Sequence, residues 1–163
     1  MALIIAVDPS GNHQSEKEGM GITGLAVYDR GKITLHEIKA EDYATAVSYW
    51  DAVVQFIRKA EYLVVEGYKL YNHAGMSAQT QSNSTLMTSQ LIGAMKLEAH
   101  RYGIPITIQY AADVKTRWSD KVLQAKGILE PGNKFDGKQT NLHKRDALRH
   151  LTHYRKYVLK GRV

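Results

Sequence analysis

The chain of 163 residues contains no cysteine. That excludes disulfide staples, thiol nucleophiles and cysteine-ligated zinc together. It also lacks a long apolar run. The opening MALIIAV is stopped by Asp8 and Pro9, too early for a signal peptide or a bilayer span. There is no internal repeat, no low-complexity tract and no Walker-type phosphate loop. The expectation is a soluble intracellular protein without a membrane partner. What is present is ordinary globular usage, 44% hydrophobic and 23% charged. The length suits a single domain spanning residues 1–163, large enough to bury its own core.

Charge is unevenly spread. Residues 1–112 hold 9 Lys+Arg against 11 Asp+Glu, whereas residues 113–163 hold 13 against 5. A basic half concentrates polyanions near the surface and suits nucleic-acid contact; its bland alternative is a solvated, lysine-rich face.

Periodicity predicts an α/β fold. Ala2–Val7, Tyr62–Val65 and Ile104–Tyr110 are short apolar runs suited to buried strands. Gly21–Tyr28 and Lys32–Lys39, joined by Asp29-Arg30-Gly31, read as a hairpin. Helices are expected within Asp42–Ala60, over Ser82–Tyr102, over Asp113–Gln124, and from a cap at Asn141 to about Leu159. Tyr68–Gln81 and Gly127–Asn141 read as loops. Strands alternating with helices imply a partly parallel sheet, with the hairpin as its antiparallel edge.

Two acids end buried strands: Asp8 after LIIAV and Glu66 after YLVV. The carboxyl edge of an open sheet is where sites form. Asp146 is the third candidate, near one face of the last helix with His143 and His150. On a helical wheel, Ala147, Leu148, Leu151, Tyr154 and Val158 make an apolar face. Arg145, Arg149, Lys156 and Lys160 lie roughly opposite. His143, Asp146, His150 and His153 fall between, with His150 and His153 expected at the helix surface or half in the core. Hard oxygen ligands of this kind suit Mg²⁺ or Mn²⁺, and two such ions can activate water and stabilise a leaving oxygen in phosphodiester hydrolysis. Singly, each of two acids has a structural reading: Asp8 as the opening of a turn before Pro9, and Asp146 as a charge that stabilises its helix through the dipole. Together, at two strand ends and one helix, they favour a site.

The segments IIAVDPSGN with GITGLAVYD, YLVVEGYKLY, LIGAMKLEAHRYGIPITIQYAADVKTRW and HKRDALRHLTHY together resemble the RuvC-type Holliday-junction resolvases of the ribonuclease H-like superfamily. The resemblance covers nearly the whole chain. It implies a ribonuclease H-like mixed sheet flanked by helices, and a Mg²⁺-dependent nuclease (Mn²⁺ substituting) with two ions per site. Asp8 would bridge the ions, Glu66 would hold the second and Asp146 the first. His143 stands where relatives carry Asp or His, as ligand or proton shuttle. Tyr68, Lys69 and Tyr71 would meet the junction, and Lys115, Lys144 and Arg145 would contact DNA. The implied partners are a four-way junction and a second copy of the chain docked through the Ser82–Tyr102 helix. The implied location is cytoplasmic, the host's cytoplasm if the chain is phage-encoded. The chain departs from the family at Asp8-Pro9-Ser10-Gly11, where glycine comes one place late, and in the long loops 10–20 and 127–141. Two other functions stay open: cleavage of RNA–DNA hybrid or flaps by the same acids, and non-catalytic nucleic-acid binding on the same fold.

Overall fold

The computed structural model describes residues 2–14, 20–68 and 83–160. Five strands form one sheet in the order β3-β2-β1-β4-β5. They are β1 (Ile4–Asp8), β2 (Ile22–Asp29), β3 (Lys32–Lys39), β4 (Tyr62–Gly67) and β5 (Ile106–Tyr110). β1, β2 and β3 pair antiparallel, while β1, β4 and β5 pair parallel. The fold class is therefore the mixed α/β sheet that the sequence implied.

Alternation along the strands decides what each face carries. Ile5 and Val7 of β1, with Leu63 and Val65 of β4, pack beneath α1 (Ala46–Ile57) and α2 (Asn83–Arg101), meeting Tyr49, Val53, Ile57, Leu91 and Met95. Ile4, Ala6 and Val64 face the other way, onto Ala147, Leu151 and Tyr154 of α5 (Leu142–His153) and the π-helical turn that follows it. Asp8 and Glu66 share the parity of this second set. Both carboxylates therefore leave the sheet on the side of α5.

One glycine permits close approach there. Gly24 lies opposite Asp8 across β1 and β2, and a Cβ at that position would overlap the carbonyl of His143. The missing side chain lets the first turn of α5 sit directly on the sheet. Asn141 caps that turn by accepting from Lys144 N at 2.9 Å. The loop after β1 is pinned from the opposite face: Tyr49 Oη donates to Ser10 O at 2.6 Å, and Trp50 Nε1 donates to Gly11 O at 2.9 Å.

Two segments differ from the sequence reading. The helix expected over Asp113–Gln124 is two short ones, α3 (Ala111–Val114) and α4 (Asp120–Ala125). Ser119 adopts an extended backbone and accepts from Val122 N, so it restarts the helix. The break lets Trp118 join Val114, Leu123, Leu129 and Leu148 in a separate buried cluster. The loop 127–141 contains a small hairpin of β6 (Lys134–Phe135) and β7 (Lys138–Gln139). No helix among the described residues is long and apolar enough to cross a membrane.

Candidate metal centre

Asp8 from β1, Glu66 from β4 and Asp146 from α5 converge. One oxygen of each lies within 4.8 Å of the others. Asp146 is buried, while Asp8 and Glu66 retain partial access to solvent. Each acid has a neighbour that holds it. His143 Nδ1 lies 3.4 Å from Asp8 Oδ2. His150 Nε2 donates to Glu66 Oε2 at 3.1 Å. Arg149 Nη1 donates to Asp146 Oδ1 at 2.5 Å. The ammonium of Lys115, just beyond α3, bridges the remaining oxygens, 3.3 Å from Glu66 Oε1 and 2.9 Å from Asp146 Oδ2.

This crowding of like charge shapes protonation. Burial pushes the Asp8 carboxyl up to about 7; the His143 contact opposes the rise, and the nearby Glu66 and Asp146 add to it. Burial would also raise Glu66, but the hydrogen bond and charge of His150, with Lys115, overcome it and hold Glu66 down at about 2. The two carboxyls titrate together, burial favouring the protonated form at Asp8 and the cationic neighbours favouring the ionised form at Glu66. Burial would lower Lys115, yet its bond to Asp146 and the surrounding carboxylates raise it above the usual lysine range. His143 is raised, chiefly by its bond to Asp8. Three carboxyls around one point, with a protein cation already between two of them, could hold a hard divalent ion.

Solved structures of known proteins share this architecture. The match to Thermus thermophilus RuvC in complex with Holliday junction substrate has a TM-score of 0.67 and covers 99% of this chain and 97% of that one. The fold is that of RuvC. A further Thermus thermophilus RuvC structure matches with a TM-score of 0.59 over 98% and 97% of the two chains. Sequence identity to these RuvC chains is 15% and 18%, so the likeness is one of fold. No family model and no curated protein matches the sequence.

Several residues sit elsewhere than the sequence suggested. Lys115, expected as a DNA contact, is paired with Glu66 and Asp146. Arg149, placed on a solvated basic face by the helical wheel, is buried; besides Asp146 it bonds to Asp120 and to Trp118 O. Arg145 is turned inward too, donating to Thr140 O at 3.1 Å with its Nε 3.3 Å from Asp120. His150, expected at the helix surface or half-buried, is fully buried and also contacts Gln109 of β5. Lys144 is half-buried, beside Lys138 in a groove between β3 and the small hairpin. Tyr68 follows β4 and is exposed. Lys69 and Tyr71 lie outside the described residues. The signal that would have found Arg149 is its spacing, three residues after Asp146 on the same helix. The sequence places His150 near the face of Asp146, but its contact is with Glu66 of β4.

Proposed function

We propose that this chain is a divalent-metal-dependent endonuclease that cuts branched DNA, with a four-way junction as its substrate. The observation that carries this reading is the meeting of Asp8, Glu66 and Asp146, from three separate elements, at one edge of a sheet with the RuvC fold. The RuvC of the first match was solved with a Holliday junction substrate. These three acids would hold Mg²⁺, or Mn²⁺ in its place, at up to two positions. When bound, such ions supply an activated water and neutralise charge on the leaving oxygen.

The chain's own residues do the rest. Asp8 must give up its proton to act as a ligand, and His143 beside it is placed to take or return a proton at Asp8 Oδ2. Lys115, once released from Glu66 and Asp146, can turn its ammonium toward a phosphate. The exposed Lys121, Lys126, Lys134 and Lys138 of the basic half neutralise phosphates and position the duplex without reading its sequence. Tyr68 at the rim offers a face on which a base can stack. Paired cuts require two active sites. A second copy is proposed to dock on α2, where Leu86, Gln90, Gly93 and Leu97 form an exposed stripe at helical spacing.

The test is cleavage of labelled four-way junction, flap and RNA–DNA hybrid with Mg²⁺ at stated salt. Asp8→Asn, Glu66→Gln and Asp146→Asn are each expected to abolish junction cutting while junction binding persists. Preferential cutting of hybrid would move the assignment to a ribonuclease H-type activity. No metal-dependent nicking of any substrate by the wild-type chain would leave only nucleic-acid binding.

A further inference from the structure

We infer that His150 and Arg149 are positioning residues of the metal centre, each tying back one oxygen of a carboxylate so that the other alone faces the cation; this rests on the metal-centre reading above. Glu66 Oε2 is taken by His150 and Asp146 Oδ1 by Arg149. The oxygens left, Glu66 Oε1 and Asp146 Oδ2, are the two that share the ammonium of Lys115. A protein cation thus sits where the two presented oxygens converge, and the division of each carboxylate is the same on both acids.

Both positioning groups are themselves held. His150 is fully buried, and its Nδ1 lies 3.1 Å from Oε1 of Gln109. Gln109 is the β5 neighbour of Glu66 in the parallel ladder, so the backbone register that places the acid also places the support of its partner. The Gln109 Nε2 is buried and meets no partner among the described residues. The Gln109 side chain backs the imidazole on the side away from Glu66. Arg149 spends three donors: on Asp146, on Asp120 at the start of α4, and on Trp118 O at 2.7 Å. Its guanidinium cannot swing away without breaking the turn between α3 and α4. A fixed fork of this kind gives orientation that a flexible ammonium does not.

The experiment is calorimetric titration of Mn²⁺ into the full chain without DNA, with thermal melts alongside. His150→Gln keeps a donor at the position of Nε2, whereas His150→Asn cannot reach Glu66. The Asn variant is expected to bind Mn²⁺ about 10–100-fold more weakly, and the Gln variant to stay within about threefold of wild type. Arg149→Met should weaken Mn²⁺ by a similar factor, with Arg149→Lys only partly restoring it. In steady-state cleavage at saturating Mn²⁺, kcat should fall while KM for junction stays level. If His150→Asn and Arg149→Met melt earlier but bind Mn²⁺ as the wild type does, the two residues are merely structural and the inference is overturned. Should either prove too unstable to titrate, Gln109→Leu removes only the far support of the imidazole. It is expected to cost Mn²⁺ affinity several-fold, and wild-type affinity there would equally overturn the inference. Absence of saturable Mn²⁺ binding by the wild-type chain is a distinct result, and defeats the metal-centre reading itself.

Discussion

Asp8 is the residue on which protonation and the proposed metal binding meet. Its carboxyl is raised from 3.8 to about 7 in the fold, so the folded chain holds a proton there that the unfolded chain releases. Stability from this group is therefore greatest in acid and is lost as pH rises from about 4 to 7. The ionised form costs the fold at most about 4 kcal/mol. Asp8→Asn should consequently raise the melting temperature of the metal-free protein at pH 8 and leave it nearly unmoved at pH 4. Thermal melts at the two pH values check this; equal shifts at both would rule it out. Metal competes with the same proton. Mn²⁺ affinity should climb up to pH 7 and level off above it, which calorimetry across pH 5.5–8.5 would reveal. Glu66 behaves oppositely. Held at about 2 by its cationic neighbours, it stabilises the fold fully above about 4.5 and loses that contribution as pH falls from about 4.5 to about 2.

At the scale of elements, Gly24 sets the distance between α5 and the sheet. Gly24→Ala would force the His143 carbonyl away and lift the helix that carries Asp146. A cost of about 1–3 kcal/mol is expected, as for other overpacked sites, with Mn²⁺ binding weakened more than stability. Chemical denaturation and Mn²⁺ titration of the same sample separate the two effects. These elements also show which parts of the structure the sequence disclosed. β1 and β4 were plain because buried strands are continuous apolar runs and a terminal acid interrupts them. That Asp8 and Glu66 share one face came from strand parity in the folded sheet. α5 was harder. Its periodicity marked the apolar face, but Asp146 through Thr152 are all buried, because the sheet covers one side and the Trp118 cluster another. A wheel shows where a helix is apolar. It does not show that a polar flank is also covered once Arg149 meets Asp120, or His150 meets Glu66. The break at Ser119 escaped for a related reason: a serine inside a helical pattern is unremarkable until tertiary packing makes it a cap.

For the molecule as a whole, the proposed nuclease needs two centres to make two coordinated cuts. Leu97 is half exposed on the outer stripe of α2. If this stripe joins two copies, Leu97→Glu should shift the chain to monomer in analytical ultracentrifugation and replace paired incisions with single nicks. An unchanged sedimentation coefficient would place the interface elsewhere. The proposed metal has a separate relation to the fold. Lys115 and Arg149 already balance the clustered carboxylates from within the polypeptide. Synthesis in a magnesium-poor medium should therefore yield an intact, dormant enzyme. Chelation with EDTA should silence it and lower its melting temperature only by the stabilisation that metal binding adds, leaving the chain folded, and readdition of Mg²⁺ should restore cutting with no refolding lag.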